Sequence, residues 1–79
     1  MTFEKIKEII VDNLAIDEEK ITLDTRFKAD LGVKVMVDAG AFIDIIMTIE
    51  DCFGIEISDE VAEKFVTVGD IVRYVDSEI

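Results

Sequence analysis

The side chains able to do chemistry in this sequence are almost all carboxylates. The chain has 19 aspartates and glutamates, no histidine and a single cysteine, Cys52. Serine–histidine–aspartate and cysteine–histidine arrangements therefore cannot be built, and a zinc site would lack its usual ligands. Neighbouring carboxylates such as Glu50 and Asp51 diverge on a helix and do not share a site. These residues predict a binding or carrier module and not an enzyme.

Other kinds of ligand site are also missing from the sequence. The acidic segment from Asp24 to Asp30 lacks the central glycine and final glutamate of a calcium-binding hand. No glycine-rich phosphate loop occurs, and we expect no dedicated metal site. Cys52 has no histidine to activate it, so we predict a thiol packed on or near the core and not a reactive one.

The carboxylates are concentrated in one part of the chain. The net charge of −11 excludes nucleic acid as a partner, because phosphates require cations, and favours basic partners instead. Between Asp38 and Lys64 there are eight carboxylates and one cation: Asp38, Asp44, Glu50, Asp51, Glu56, Asp59, Glu60, Glu63 and Lys64. Taken alone, such a run usually indicates only a solvated face.

Apolar periodicity predicts a helix that presents part of this acidic run. From Asp38 to Phe53, large apolar residues recur at three- and four-residue spacing, with Asp38 as a candidate cap and Gly54 as the helix end. Its buried stripe is predicted to be Phe42, Ile45, Ile46, Ile49 and Phe53. Asp44, Glu50 and Asp51 should face outward, beside Ile43 and Met47.

Three further helices are predicted from their caps and apolar stripes. The first covers about Phe3 to Leu14 and is capped by Thr2; a brief one runs from Asp59 to about Phe65 after Ser58. The last starts after Thr67, which forms a near capping box with Asp70. The sequence therefore predicts a single all-α domain, residues 1–79, built as a four-helix bundle with a short third helix.

A long loop is predicted after the first helix, from about Ala15 to Val37. Single apolar anchors hold it against the core: Ile16, Ile21, Leu23, Phe27 and Leu31. The stretch from Val33 to Val37 alternates like an extended chain, but it could equally add one turn to the second helix. The sequence leaves both conformations open.

Membrane and export signals are missing from the chain. No apolar run approaches the roughly 18 residues that span a bilayer, and the first residues include Glu4 and Glu8 and lack a basic-then-apolar pattern. We expect a cytoplasmic monomer.

Three motifs together resemble the acyl carrier proteins over nearly the whole chain. They are Phe27-x-x-Asp30-Leu31-Gly32, the stretch from Glu50 to Ile57 that contains Phe-Gly-Ile-Glu-Ile, and Thr67-Val-Gly-Asp-Ile. The resemblance implies a four-helix carrier in which a serine at the start of the second helix holds 4'-phosphopantetheine. It also implies that basic patches of acyl-synthesis enzymes, or of a phosphopantetheinyl transferase, dock on the acidic second helix.

Carried over to this chain, the resemblance assigns two sets of residues. The docking surface would consist of Asp38, Asp44, Glu50, Asp51 and Asp59, with Ile43, Met47, Ile57 and Ala62 as its apolar contacts. The acyl pocket, which is also core, would be lined by Phe27, Ile45, Ile49 and Phe65. The resemblance thus changes the interpretation of the acidic run from a solvated face to a functional one.

The chain departs from the family at the attachment serine. Counting back from Phe53 and Gly54, the serine position falls on Ala39; counting forward from Gly32, it falls on Val35. The two counts differ by an apparent insertion of four residues, and neither gives a hydroxyl. We therefore predict that the chain as written has no cofactor.

Three hypotheses account for the missing serine. The chain is an engineered apo form of a carrier for fatty-acid or related synthesis, or a natural homologue that lost the cofactor and kept its docking surface. Alternatively, it is an acidic interaction or regulatory module that binds a basic partner through the second helix. The first two are favoured because the acidic layout survives around the lost serine.

Overall fold

The computed structural model describes residues 1–79 and contains four α-helices and no strand. The helices are α1, Thr2–Leu14; α2, Ala41–Phe53; α3, Asp59–Ala62; and α4, Val68–Glu78, with one 3-10 turn at Glu18–Lys20. The all-α prediction, with a long loop after the first helix and a short third helix, is confirmed. No helix has the length and apolar character needed to cross a bilayer.

One hydrophobic core holds the helices together. α1 packs against both α2 and α4, because each helix has an apolar stripe on one face. The predicted α2 stripe is buried at Phe42, Ile45, Ile46 and Ile49, whereas Phe53 in the last turn is only half-buried. The exposed side of α2 is therefore fixed in orientation by the core beneath it.

The long loop is attached to the start of α4 by backbone hydrogen bonds. The N–H groups of Phe27, Val68 and Gly69 donate to the carbonyls of Val66, Thr25 and Leu23, at 3.0, 2.9 and 2.8 Å. Phe27 is fully buried, and its ring and that of Phe42 form a T-shaped pair with 5.3 Å between centroids. The loop is therefore part of the core without being a helix or a strand.

Most of the predicted loop anchors turn inward, with one exception. Ile21 and Phe27 are buried, and Ile16 and Leu31 are half-buried. The Leu23 side chain is 48% exposed, so its prediction as an anchor was wrong. Its carbonyl makes the contact instead.

Two predicted helix starts are corrected by the structure. α2 begins at Ala41, with Gly40 at its N-cap at φ 95° and no side-chain cap, so Asp38 does not cap it. Thr2 does not cap α1 either, because it lies inside the helix and its hydroxyl donates to Asp76.

The two other predicted helix caps, at α3 and α4, are confirmed. Ser58 accepts a hydrogen bond from the Val61 N–H, and Thr67 and Asp70 form the full capping box of α4. α3 is shorter than predicted, because it ends at Ala62 and not near Phe65.

The stretch from Val33 to Val37 is not helical. Val33 is buried and Val35 and Val37 are half-buried, whereas Lys34 and Met36 are exposed. The side chains alternate as in an extended chain, but the backbone turns tightly where the Met36 N–H donates to the Lys34 carbonyl at 3.0 Å, and it bends again from Val37 to Gly40. The structure thus decides between the two conformations that the sequence left open.

Candidate functional site

The two positions that could correspond to an attachment serine lie before α2. Ala39 is exposed in the bend that leads into the helix, and Val35 is half-buried in the segment before that bend. Neither side chain has an oxygen atom to which a phosphodiester could be made. The chemistry of these two positions therefore does not fit the attachment of 4'-phosphopantetheine.

The nearest hydroxyl groups on either side in the sequence are already hydrogen-bonded to the backbone. Thr25 is buried; its Oγ1 accepts from the Thr22 N–H at 2.8 Å and donates to the Lys20 carbonyl at 3.0 Å. The Thr48 Oγ1 donates to the Asp44 carbonyl at 2.8 Å, within α2. Neither hydroxyl takes the place of the missing serine.

Four exposed residues form a continuous surface on α2, which we call the α2 face: Asp44, Met47, Thr48 and Asp51. Their three- and four-residue spacing brings them onto one side of the helix. Met47 is 55% exposed, and Ile43 lies half-buried beside it. No ion pair within the chain involves either carboxylate of this face. An exposed apolar side chain between unpaired carboxylates can bind a basic, partly apolar surface.

The other predicted docking residues differ in their availability. Asp38 and Asp59 are exposed, but Ile57 and Ala62 are buried at 6% and 1% exposure, so neither presents an apolar contact at the surface. Both belong to the hydrophobic core, Ile57 in the link before α3 and Ala62 at the end of α3.

Glu50 has a structural role that the sequence did not reveal. Its Oε2 accepts a hydrogen bond from the Ile57 N–H at 2.7 Å, so it fastens the link after α2 to the helix end. The Gly54 and Ile55 N–H groups donate to the Glu50 carbonyl at 2.9 and 3.2 Å, with Gly54 in the left-handed conformation. Its carboxylate is therefore less available to a partner than those of the α2 face.

Cys52 is exposed, and the prediction that it packs on or near the core was wrong. In the last turn of α2 the half-buried Phe53 packs against the core, and Cys52 beside it faces solvent. No group of three or more histidine, cysteine or carboxylate side chains comes together as a set of metal ligands.

An open groove of about 590 Å³ lies between the long loop and the link from α3 to α4. Its apolar lining comes from Ala29, Val35, Phe65 and Val66, and its polar lining from Arg26, Lys28 and Glu63. Of the four predicted acyl-pocket residues, only Phe65 lines this groove. The other three, Phe27, Ile45 and Ile49, are fully buried.

The two cations at the groove were missed by sequence reasoning. The Arg26 backbone N–H donates to Asp30 at 2.8 Å and, together with the Arg26 side chain, lowers the pKa of Asp30 below its usual value. This turn holds Arg26 at the groove. Lys28 flanks the buried Phe27, and that alternation of a buried aromatic with exposed cations was the available signal.

Comparison with known proteins agrees with the geometry. Residues 4–75 match the family model described as the phosphopantetheine attachment site. The fold is similar to that of the acyl carrier protein from Enterococcus faecalis, with a TM-score of 0.77 and 35% identity. That match covers 99% of this chain and 94% of the other. The chain therefore belongs to the phosphopantetheine-attachment family, as a carrier of the acyl carrier protein type.

Proposed function

We propose that this chain is a carrier-type protein of fatty-acid or related synthesis that carries no 4'-phosphopantetheine. It is not itself an enzyme. It acts in the cytoplasm as a monomer. Its acidic surface binds a basic patch on a synthesis enzyme or on a phosphopantetheinyl transferase. The observation behind the proposal is that an exposed acidic face on α2 follows two candidate attachment positions, Ala39 and Val35, that both lack a hydroxyl.

The proposed docking surface is narrower than the one that the resemblance implies. It consists of Asp38, Asp44, Met47, Asp51 and Asp59, which are all exposed, with Ile43 at its edge. Because opposite charges steer association and exposed charges are screened, binding to a basic partner should weaken as salt rises.

An acyl chain on a restored carrier would enter at the groove. Phe65 lines the groove beside Val35, and the buried residues Phe27, Ile45 and Ile49 lie in the core. We propose that these four residues contact the chain once the core opens to admit it.

The second candidate function is an interaction or regulatory module that binds a basic partner through α2 and never carried a cofactor. The absence of an oxygen at both Ala39 and Val35 favours it. The two functions differ in whether a carrier-modifying enzyme still recognises the chain.

The test is intact mass after incubation with coenzyme A and a broad-specificity phosphopantetheinyl transferase. The parent, Ala39→Ser and Val35→Ser are compared. We expect no mass change in the parent or in Val35→Ser, and the gain of one prosthetic group in Ala39→Ser. In the Ala39→Ser background, Asp44→Lys with Asp51→Lys should slow modification at least about tenfold, by an electrostatic loss of about 1.4 kcal/mol.

A control variant separates the effect of the charges on α2 from the effect of a charge change elsewhere. Asp12→Lys changes an exposed carboxylate on α1 and should leave the rate of modification of Ala39→Ser within about twofold, since it lies on another helix. If neither serine variant is modified, the interaction module becomes the better proposal. Modification of the parent would show that the attachment position lies elsewhere.

A further inference from the structure

The two cations at the groove have no role in the carrier function or in the interaction function. The docking surface on α2 is acidic and binds a basic partner. An acyl chain joined to a carrier has used its carboxyl group in that bond and offers a cation no charge. Arg26 and Lys28 nevertheless lie at an apolar groove, on a chain of net charge −11. A mostly apolar cavity with a few charged groups is the usual composition of a small-ligand site.

The walls of the groove are held in place by the fold. The Phe27 N–H of the long loop donates to the Val66 carbonyl, in the link from α3 to α4, at 3.0 Å. Phe65 is buried at 5% exposure, and its ring forms a T-shaped pair with Tyr74 at 5.8 Å between centroids. The Val66 side chain is 57% exposed and offers apolar surface to a ligand. Because the groove is already formed, a ligand loses little free energy in reorganising it.

The two cations differ in how far the chain already binds them. Lys28 is exposed and forms no ion pair. Arg26 is joined to Asp30 through Nε and Nη2, at 3.4 and 3.5 Å, and its side chain is 57% exposed. Its Nη1 takes no part in these contacts. The Lys28 ammonium and the Arg26 Nη1 are therefore the donors that remain for an anion at the groove.

We propose that the groove binds a free fatty acid, without a covalent bond to the chain. The carboxylate lies against the Lys28 ammonium and the Arg26 Nη1. The alkyl chain covers the apolar lining formed by Phe65, Val66 and Val35. The binding needs neither a cofactor nor a partner enzyme, so it stands or fails separately from the carrier function.

Size and charge favour a fatty acid over a phospholipid. The volume of about 590 Å³ is that of a site for one small ligand. Glu63 also lines the groove and forms no ion pair, so it repels an anion there. A phosphate head of charge about −1.5 to −2 meets more of this repulsion than a singly charged carboxylate does. The single free lysine therefore matches a single carboxylate.

The first experiment is a titration of the full chain with decanoate, followed by the NMR chemical shifts of the backbone amides. Salt at about 0.15 M screens repulsion from the distant carboxylates, since the Debye length is then about 8 Å. We expect saturable binding with a dissociation constant on the order of 1 mM, as for a small ligand in an open groove. The largest shifts should fall at residues 26–29 and 63–66. Butyrate, with the same head and a shorter chain, should bind at least about tenfold more weakly.

The second experiment tests the position of the carboxylate. Lys28→Met keeps an unbranched side chain and should weaken decanoate binding about two- to fivefold, the usual effect of one exposed ion pair. Lys5→Met makes the same change at an exposed lysine of α1 and should bind as the parent does. Glu63→Gln should tighten binding about twofold, because it removes a like charge. Glu78→Gln, at an exposed site of α4, should not. Each control has the same net charge as the variant it accompanies.

Several outcomes would overturn the proposal. One is a titration that shows no saturable binding up to about 10 mM, ten times the expected dissociation constant. Others are shifts that concentrate on Ile45 and Ile49 in the core and spare the groove, or equal losses of affinity in Lys28→Met and Lys5→Met. Tighter binding of decyl phosphate than of decanoate would overturn the assignment to a carboxylate. Circular dichroism of each variant should match the parent, because the substituted side chains are exposed.

Discussion

At the scale of single residues, hydrogen-bond partners decide which carboxylates remain available to a partner. Glu50 accepts from the Ile57 N–H and Asp70 from the Val66 and Thr67 N–H groups, so both hold the fold together. The carboxylates of Asp44 and Asp51 have no such partner within the chain and are exposed. Residue type alone does not distinguish these two groups.

Asp70 should make stability depend on pH in the acid range. Burial raises the pKa of Asp70, but the Thr67 and Val66 N–H groups and Arg73 outweigh it, so the pKa lies below its usual value. A carboxyl with a lowered folded pKa stabilises the fold above its unfolded pKa of about 3.9. That contribution is lost as the pH falls through the folded pKa.

We therefore expect Asp70→Asn to lower the free energy of unfolding by about 1 kcal/mol at neutral pH, since it removes a charged cap. The difference from the parent should shrink below about pH 4. Urea titrations across this pH range measure it. As a control, Asp12→Asn changes an exposed carboxyl on α1, and its difference in unfolding free energy from the parent should not depend on pH in this way. A difference for Asp70→Asn that stays constant down to the lowest pH would contradict the argument.

At the scale of elements, the fold depends on how closely the long loop approaches α4. Gly69 lies in the first turn of α4, and its N–H donates to the Leu23 carbonyl at 2.8 Å. A Cβ added at Gly69 would lie 2.8 Å from that same oxygen and 3.2 Å from the Arg73 Nη1. Because the nearest atom belongs to the backbone, the loop would have to move. The glycine thus allows the loop and α4 to pack in contact.

Gly69→Ala should destabilise the protein although alanine is the better helix former. We expect the free energy of unfolding to fall by about 1–3 kcal/mol, the usual cost of overpacking, against a gain of up to about 1 kcal/mol in helix propensity. Thermal and urea unfolding measure the net change. Glu78→Ala, at an exposed site on the same helix, should change stability by less than about 0.5 kcal/mol. If Gly69→Ala were more stable than the parent, the long loop would have moved away from α4 at little cost, which would contradict the argument.

At the scale of the whole molecule, a charge of −11 is spread over a body only 28 × 27 × 19 Å across. All of its carboxylates therefore lie within about one Debye length at low salt, which is about 30 Å at 0.01 M and about 8 Å at 0.15 M. Mutual repulsion opposes the compact state more than the expanded one.

The melting temperature should therefore rise as sodium chloride increases from about 0.01 to about 0.15 M, because screening reduces this repulsion. Calorimetry or circular dichroism at low protein concentration measures it. Asp51→Asn, which removes one carboxylate of the α2 face, should melt higher than the parent at low salt and respond less to added salt. A parent melting temperature that does not change over this range would count against the argument.

The sequence by itself determined the elements that depend on local chemistry. The apolar stripe of α2, the Ser58 cap, the Thr67–Asp70 capping box and the stop at Gly54 all follow from spacing and side-chain type. It also showed that Ala39 and Val35 have no hydroxyl, which is a matter of composition. These features need only neighbours within a few residues along the chain.

Tertiary structure decided what depends on distant neighbours. It buried Ile57 and Ala62, exposed Cys52 and Leu23, and set the conformation of Val33–Val37. A run of charges in the sequence does not show which carboxylates have hydrogen-bond partners. The partner of the Glu50 carboxylate is the N–H of Ile57, seven residues further along the chain. Similarly, the sequence gives no reason for a glycine at position 69 within α4. The reason appears only in the folded protein, where the Leu23 carbonyl of the long loop lies too close to leave room for a Cβ.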